Sequence, residues 1–388
     1  MSSSLAFQIK SLAAEMGFDP VGITHLASLK QGEEAIEKWV KEGRHGSMKY
    51  LEDFKLRRAR LLEQIPDAKS VICLGVNYYS KAQSAESIES DKSFALGAMR
   101  YAPSGRVARY AWGRDYHQVI RSRHAELIGK LKQELGENFC AVSCVDTQPI
   151  PERFAALQSG FGFIGKHTGI LNEKYGPWLF LSEIVTNLDL EADEASEGDC
   201  GTCDHCQKIC PTGALDEDYK IDARICIAYL TIEHKGVIPR ELRPKIKDWI
   251  FGCDECMSVC PFTSKQKETT WPELGPKAGN GEWLLIEELL SLPSNKAYER
   301  KFAGTPLLRA GLKQMLRNAC IVLGNSKREE AIPLLEKALN HRDALVRLHA
   351  AWALGQIPSE KSRAPLQERL SQETDEDVKN EIQTSLAC

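Results

Sequence analysis

Two cysteine runs decide how this chain is interpreted: CGTCDHCQKICP at residues 200–211 and CDECMSVCP at residues 253–261. The first is C-x2-C-x2-C-x3-C-P, the second is C-x2-C-x3-C-P, and one further thiol, Cys226, lies between them. In the two-cluster bacterial pattern, three thiolates of a run bind one cluster, the fourth binds the other, and the proline ends the loop. The spacing therefore predicts two 4Fe–4S clusters in one short segment.

Each cluster needs four thiolates. The first cluster is assigned to Cys200, Cys203, Cys206 and Cys260. The second is assigned to Cys210, Cys226, Cys253 and Cys256, with Cys226 in the slot that a symmetric run would fill just before Cys253. The alternative is a pair of structural zinc sites, because C-x2-C pairs also hold zinc. Zinc ribbons lack the x3-C-P ending, which occurs here twice, so the spacing favours iron–sulfur clusters and one-electron transfer.

Composition limits the classes of function that remain. The 388 residues give room for two or three domains with real cores. A net charge of -4 makes no general case for a polyanionic partner, so any nucleic-acid site must be local. The start MSSSLAFQIK does not resemble an export signal, and no apolar run approaches the length of a membrane span. We therefore expect a cytoplasmic protein with no membrane partner.

The first part of the chain alternates between helical and strand patterns. Apolar periodicity predicts helices over residues 4–17, 31–42 and 115–135, and apolar runs predict strands in DPVGIT, KSVICLGVNYY, NFCAVSCVDT and WLFLSEIVTNLDL. Residues 80–105 are predicted to form a loop. The alternation indicates an α/β (α+β) domain, in which ligands usually lie beyond the carboxyl ends of the strands. Asp146 stands at such an end.

Three domains are predicted: an α/β domain at 1–190, a two-cluster ferredoxin-like module at 191–270, and a helical repeat domain at 271–388. In the last, VRLHAAWALG echoes LRNACIVLG, a pattern typical of HEAT-like hairpins. Basic residues dominate 296–317, which is the local footprint expected of an RNA-backbone site. The alternative is a solvated helix face.

Clusters relay electrons but rarely perform the organic step, so a second cofactor is expected. No G-x-G-x-x-G follows the early strands and no P-loop is present. Asp115-Tyr116-His117 begins like the cobalt-ligating D-x-H-x-x-G motif but lacks its glycine, and the match is interpreted as chance. A strand-end carboxylate such as Asp146 caps a turn more often than it donates a proton. The histidines His117, His167 and His234 are likewise interpreted as structural.

Segments along nearly the whole chain resemble the epoxyqueuosine reductase family: HGSMKYL, KSVICLGVNYY, RYAWGRDYH, VDTQPIPER, GFGFIGKHTGIL, CGTCDHCQKICPTGAL, CIAYLTIEHKG, GCDECMSVCP, TPLLRAGLKQMLRNACIVLGN and AAWALG. The resemblance implies base-off cobalamin between the α/β domain and the cluster module. It implies electron delivery from an external one-electron donor, such as a flavodoxin or ferredoxin, through both clusters. The implied reaction is removal of the epoxide oxygen of epoxyqueuosine at the tRNA wobble position.

The resemblance also implies roles for particular residues. Asp146, the aspartate of VDT, would be the proton donor. The implied cobalamin contacts are Arg58, Arg109, Asp146, Ile170, Leu181, His234, Cys253 and Asp254. The helical repeats would hold the tRNA anticodon stem-loop that carries epoxyqueuosine, with Arg309, Lys313 and Arg317 as candidate contacts.

Some motifs depart from the family pattern, such as PIPER where PVLER is usual and CDECM where CDDCQ is usual. The departures fall on neither a cluster ligand nor Asp146, and they leave a changed substrate open. One alternative function is a cobalamin and iron–sulfur reductase of small molecules, similar to reductive dehalogenases. Those enzymes usually carry an export signal and need no basic helical tail. A second alternative is an electron-transfer protein with a helical docking arm.

Overall fold

A computed structural model describes residues 4–81 and 103–387 of the chain. The chain divides into two compact units that interleave along the sequence. The first unit comprises Met1–Lys81, Gly113–Arg224 and Asp254–Ala278, and the second comprises Ala82–Trp112, Ile225–Cys253 and Gly279–Cys388. Most of the predicted loop at 80–105 lies outside the described residues. The three-domain division stays a prediction.

The strands of the described residues are short, apart from two of eight residues each. In chain order they are β1 Val21–His25, β2 Ser70–Asn77, β3 Ser104–Val107, β4 Ala141–Cys144, β5 Phe163–Ile164, β6 Ile170–Leu171, β7 Leu179–Thr186, β8 Trp249–Phe251 and β9 Trp283–Leu285. The predicted strands correspond to β1, β2, β4 and β7. Strand β3 begins within the segment that was predicted to be loop.

The helices follow the predicted apolar periodicity closely. In chain order they are α1 Leu5–Glu15, α2 Lys30–Lys41, α3 Phe54–Leu62, α4 Tyr116–Leu135, α5 Glu152–Gln158, α6 His205–Ile209, α7 Ile227–Ile232, α8 Glu255–Ser258, α9 Ile286–Leu290, α10 Asn295–Lys301, α11 Leu312–Ser326, α12 Ile332–Leu339, α13 Ala344–Gly355, α14 Glu360–Gln372 and α15 Glu376–Ala387. Across the two described ranges, none of these helices is long and apolar enough to cross a membrane.

The first unit is built on a four-stranded sheet in the order β1-β2-β7-β4. All three pairings are antiparallel. The rule that ligands gather at the carboxyl ends of parallel strands therefore does not apply here, and the α+β label is the correct one. A continuous apolar run such as SVICLGVN is buried on both faces and is compatible with either pairing direction, which is why the sequence did not separate the two. Asp146 nevertheless follows directly after β4.

The second unit combines a small sheet with paired helices. Its sheet has the order β8-β3-β9, in which β3 runs parallel to β8 and antiparallel to β9. Helix α11 packs against α13, and α13 packs against α15. Nearly every side chain of α11 from Met315 to Gly324 is buried, so this helix lies inside the unit rather than on its surface. The predicted pattern of apolar helical hairpins is confirmed.

Candidate active site

Asp146 lies in the turn after β4 in an unusual backbone conformation. Its φ of 57° is in the left-handed region, which aspartate tolerates better than most residues but at some cost in strain. Its backbone N–H donates a 2.6 Å hydrogen bond to Oε1 of Glu152, the first residue of α5. The side chain is 55% exposed. The turn therefore presents a carboxylate to solvent at the edge of the sheet.

His117 connects Asp146 to Asp115. Asp115 caps α4, because its Oδ1 accepts the His117 backbone N–H at 3.0 Å, and it lies 2.7 Å from Nδ1 of the same residue. Nε2 of His117 lies 3.1 Å from Oδ2 of Asp146. Burial lowers the pKa of His117, but the hydrogen bonds to Asp115 and Asp146 outweigh that effect and raise it to about 9. When Asp146 is ionised, an imidazolium therefore lies between two carboxylates.

The structure brings together residues that the sequence kept apart. The D-Y-H segment was dismissed as a chance match to a cobalt-binding motif, and His117 was interpreted as structural. In the structure, its two ring nitrogens link a helix cap to the strand-end aspartate. No local spacing indicates this contact, because His117 and Asp146 are 29 positions apart in the chain.

Two further acidic residues lie near Asp146, and neither was identified from the sequence. Burial, followed by the charge of Asp146, raises the pKa of Glu152 to about 8. Glu183 lies on β7 opposite Cys144, is almost completely buried, and its pKa is raised well above the ordinary value by burial and by the charges of Glu152 and Asp146. Its Oε2 has no hydrogen-bond partner within the described ranges. A glutamate inside the apolar run LFLSEIVT was the signal that could have identified it.

Two other histidines of the first unit, His124 and His167, are held differently. His124 is buried on α4 between Oγ of Ser143 and Oγ of Ser182, and burial lowers its pKa to about 3. His167 accepts the backbone N–H of Gly169 through Nδ1, and burial lowers its pKa to about 4. Both rings are neutral at physiological pH, which agrees with a structural role for His167.

Four of the predicted cluster ligands lie together in the first unit. Cys260 packs in a small apolar cluster with Phe163 and Leu171, and Cys200 packs against that cluster. Burial raises the pKa of Cys206 to about 11, with a further contribution from the charge of Cys200. Burial also raises the pKa of Cys260, as do the charges of Cys200 and Cys203. These thiols are therefore near neighbours.

The surroundings of the thiols suit an iron–sulfur cluster. The backbone N–H of Lys166 points at Sγ of Cys200 at 3.4 Å, and such N–H groups stabilise thiolate sulfur in clusters. Helix α6, which carries Cys206, packs against α8, which carries Cys256. Cys210 also belongs to the first unit, whereas Cys226 and Cys253 belong to the second. The ligand set of the second cluster therefore stays a prediction. The described cysteines form no disulfide.

The predicted cobalamin contacts of the first unit are largely buried. Arg58 lies on α3 with Nη2 at 2.6 Å from Oε1 of Glu33, while its Nη1 is buried and has no hydrogen-bond partner among the residues described. Ile170 belongs to the core cluster that also contains Cys144, and Leu181 is partly buried and packs against that cluster. Asp254 is buried at the start of α8.

The predicted contacts of the second unit are Arg109, His234 and Cys253. The guanidinium of Arg109 lies 4.5 Å from the ring centre of Trp112. Nε2 of His234 lies 3.0 Å from the carbonyl oxygen of Val237, and burial lowers the pKa of this histidine. Their contact with cobalamin stays a prediction.

The prediction that Arg317 contacts RNA is wrong, because its side chain is 0% exposed. Its guanidinium donates to the carbonyl oxygens of Leu230, His234 and Gly236 at 2.6–2.8 Å, and to Oδ1 of Asn318. It ties α11 to the segment around α7 and cannot reach a phosphate.

The other two candidates for RNA contact differ from Arg317. Arg309 is 53% exposed and pairs with Glu233, at 2.8 Å between Nε and Oε1. Lys313 is 46% exposed and pairs with Asp343 at 3.0 Å. Both remain accessible to a phosphate group.

Comparison with protein-family models matches three parts of the chain. A model described as 4Fe-4S double cluster binding domain matches residues 199–263, which confirms the iron–sulfur interpretation over the zinc alternative. A model described as Epoxyqueuosine reductase QueG, DUF1730, matches residues 58–147. A model of HEAT repeats matches residues 305–387 and confirms the predicted helical repeats.

Curated proteins named epoxyqueuosine reductase are similar to the chain over most of its length. The protein from Xanthomonas campestris pv. campestris is 36% identical over 352 residues, covering 90% of this chain and 96% of that protein. The protein from Pseudomonas aeruginosa is 38% identical over 354 residues, covering 90% and 94%. That from Escherichia coli K12 is 36% identical over 354 residues, covering 91% and 90%.

Solved structures of epoxyqueuosine reductases share the fold. One, determined with an epoxyqueuosine-modified stem loop of tRNA-Tyr, has a TM-score of 0.85 at 30% identity and covers 99% of this chain and 98% of that one. A Bacillus subtilis structure has a TM-score of 0.85 at 29% identity with the same coverage, and in it the loop of the catalytic aspartate is swung out of the active site.

Proposed function

The chain belongs to the epoxyqueuosine reductase family, and on that premise we propose that it reduces epoxyqueuosine to queuosine at the wobble position of tRNA. In this reaction both carbon–oxygen bonds of the epoxide break, an alkene forms, and the oxygen leaves as water. The observation that carries the proposal is the half-exposed carboxylate of Asp146, which His117 holds in a unit that also contains four clustered thiols.

Asp146 is the proton donor in this proposal. An alkoxide is a poor leaving group at neutral pH, so an acid must protonate the oxygen as it departs. Asp146 stands in a strained turn, half-exposed, with a proton-bearing imidazole within hydrogen-bond distance. The Bacillus subtilis relative also carries its catalytic aspartate on a loop. Conformational strain of this kind is often found at catalytic positions.

The thiols of both cysteine runs hold the two clusters in this proposal. Cys200, Cys203, Cys206 and Cys260 are grouped in the first unit and fit one cluster, and the backbone N–H of Lys166 is in place to stabilise it. The second ligand set is Cys210, Cys226, Cys253 and Cys256, as the spacing predicts. The clusters would accept single electrons from an external donor such as a flavodoxin or ferredoxin.

We propose base-off cobalamin as the second cofactor, which when bound would supply two-electron reducing chemistry at the epoxide. Arg58 fits such a group, because its buried Nη1 has no partner in the described chain and can donate to an acceptor on the cofactor. Ile170 and Leu181 can add apolar contact, and Asp254 is a further candidate from the first unit. Contacts from Arg109, His234 and Cys253 stay predictions.

The helical repeats bind the tRNA stem-loop in this proposal, with Arg309 and Lys313 contacting phosphates. Both side chains are accessible and positively charged. Because A-form RNA hides its base edges in a deep groove, such contacts read mainly phosphate and shape. The wobble base would be turned out of the stack to reach the acid.

The proposal is tested with anaerobically purified protein, reconstituted with iron, sulfide and cobalamin and given an epoxyqueuosine-containing stem-loop and a chemical reductant. We expect queuosine in the digested RNA by mass spectrometry, and about eight iron atoms with one cobalt atom per chain. Zinc in place of iron, or epoxyqueuosine that persists when both cofactors are loaded, would contradict the proposal.

A further inference from the structure

The proposed reaction consumes two protons, and one carboxyl group delivers one at a time. Reduction of the epoxide to an alkene takes up two electrons and two protons, and the oxygen leaves as water. After Asp146 has given its proton, its carboxylate must be protonated again before it can act a second time. The chain therefore needs a group that returns a proton to Asp146, and this requirement rests on the proposed function.

We propose that His117 returns this proton, from its Nε2 to Oδ2 of Asp146, and that Asp115 holds the ring in place for the transfer. The two atoms lie 3.1 Å apart, within hydrogen-bond distance. On the other side of the ring, Nδ1 lies 2.7 Å from Oδ1 of Asp115. Since Asp115 is also the cap of α4, the ring is fixed to the start of a twenty-residue helix. His117 acts through Asp146 and is a positioning residue in this account.

The charges around His117 favour a ring that carries a proton at neutral pH. Asp115 and Asp146 face it from α4 and from the turn after β4, and both raise its pKa. Glu152 faces the same turn from α5. Arg121, one helical turn along α4, donates to Oγ1 of Thr147 rather than to the ring. The ring of Tyr116 stacks on the imidazole, with 4.1 Å between the ring centres.

The groups behind Asp146 are less suited to the transfer. Glu152 is bonded to the backbone N–H of Asp146 and not to its carboxylate. Glu183 is almost completely buried on β7. His124, on the same helix as His117, is enclosed by two serines, and its lowered pKa leaves it without a spare proton. Of His117, Glu152, Glu183 and His124, only His117 combines a proton to give with direct contact to the carboxylate.

The first test is the pH dependence of a single turnover by pre-reduced holoenzyme. In the wild type, His117 is protonated below a pKa of about 9, so we expect the rate to fall as the pH rises through that value. His117→Gln keeps an N–H donor for Asp146 but has no proton to release. It should lower the rate by about 10-fold to 100-fold and abolish the alkaline fall. In Asp115→Asn, the fall in rate should occur at lower pH. In Asp115→Glu, it should return to the pH at which it occurs in the wild type.

Arg121→Gln is the matched control for a purely structural role. Arg121 holds the same turn through Oγ1 of Thr147 at 2.7 Å but passes no proton to Asp146. This variant should still show the fall in single-turnover rate at alkaline pH, even if its rate differs from that of the wild type. If His117→Gln and Arg121→Gln give the same unaltered pH profile, His117 merely supports the turn and the proposal is overturned.

The second test does not depend on turnover. Histidine NMR of the oxidised holoenzyme should show His117 titrating near pH 9. In Asp146→Asn and Asp115→Asn combined, its pKa should fall to or below the ordinary value of about 6.5, because the two carboxylates then no longer offset burial. An ordinary pKa in the wild type would overturn the proton-return role even if the enzyme reduces epoxyqueuosine. A raised pKa in a protein that leaves epoxyqueuosine unchanged would instead contradict the proposed function.

Discussion

His117 in the first unit and Arg317 in the second are both positively charged groups taken partly or wholly out of water, yet they are held in opposite ways. His117 lies between two carboxylates, one of them half-exposed, and its pKa is raised. Arg317 is completely buried against backbone carbonyls and one amide, and burial lowers its pKa. The first arrangement can exchange a proton with its neighbours, whereas the second can only fix the backbone around it.

The difference teaches that charge in a sequence does not by itself indicate a binding site. A charged group serves chemistry where its partners titrate and solvent or substrate can reach it. A charged group has a structural role where all of its N–H donors bond to backbone carbonyl oxygens. Replacing a buried arginine whose donors all have partners destabilises the protein, because each carbonyl loses its hydrogen-bond donor.

The largest expected effect is on catalysis, and it concerns Asp146, the carboxylate that contacts His117. Asp146→Asn keeps the size of the side chain but removes the acid, so single-turnover reduction should fall by about 100-fold to 10,000-fold. Iron content and cobalamin binding should be unchanged. Product is measured by mass spectrometry of the digested stem-loop.

Glu52→Gln provides the matched control for Asp146. Glu52 is similarly exposed, and its Oε1 lies 3.1 Å from Nε2 of His45 in the same unit. We expect this variant to keep wild-type turnover. Near-normal turnover by Asp146→Asn would remove Asp146 from the mechanism.

For the buried Arg317, we expect substitution to reduce the stability of the protein and not its affinity for RNA. Arg317→Ala leaves one buried and two partly buried carbonyls without this donor and removes a fully buried side chain, so the free energy of unfolding should drop by about 3 kcal/mol or more. Arg309→Ala removes an exposed ion pair and should cost less than about 1 kcal/mol. Unfolding of the full chain is followed by circular dichroism. Unchanged stability with weakened RNA binding in Arg317→Ala would restore it as an RNA contact.

A smaller effect is expected at the accessible basic residues. Changing Arg309 and Lys313 together to Glu should weaken binding of the stem-loop and reduce the salt dependence of log Kd by about one for each lost phosphate contact. Lys361→Glu is the control, since Lys361 is exposed and paired with Glu329 on helices of the same unit. Fluorescence anisotropy over a salt series measures both quantities. Equal affinity of the double variant and the control would place the RNA elsewhere.

Much of the fold could be predicted from the sequence because burial leaves a periodic trace. The apolar run SVICLGVN and the spacing in Leu5–Glu15 both indicated their elements. The direction of strand pairing left no such trace, because a strand buried on both faces has the same pattern in either arrangement. The two iron–sulfur clusters could be predicted for another reason: the thiolates around a cluster come from short loops, so the spacing of the cysteines is recognisable in the sequence.

Asp146 was predicted as the proton donor from the family resemblance, but its contact with His117 could not be predicted, because that contact joins the start of a helix to the end of a strand. Nothing in the D-Y-H segment indicates that Asp146 lies beside it. The prediction that Arg317 contacts RNA failed for a related reason, because the six basic residues of the segment 296–317 were treated as one exposed face. The apolar neighbours in LRNACIVLG were the available warning, because a helix that is apolar all round is buried.

The most direct test of the account is a single turnover of pre-reduced enzyme on two substrates in parallel: the epoxyqueuosine-containing tRNA stem-loop and the free epoxyqueuosine nucleoside. The account predicts that queuosine forms in the stem-loop, with far slower conversion of the free nucleoside, because the proposed phosphate contacts of the helical repeats are available only to the RNA. Equal conversion of the two, or an unchanged epoxide in the stem-loop, would contradict it.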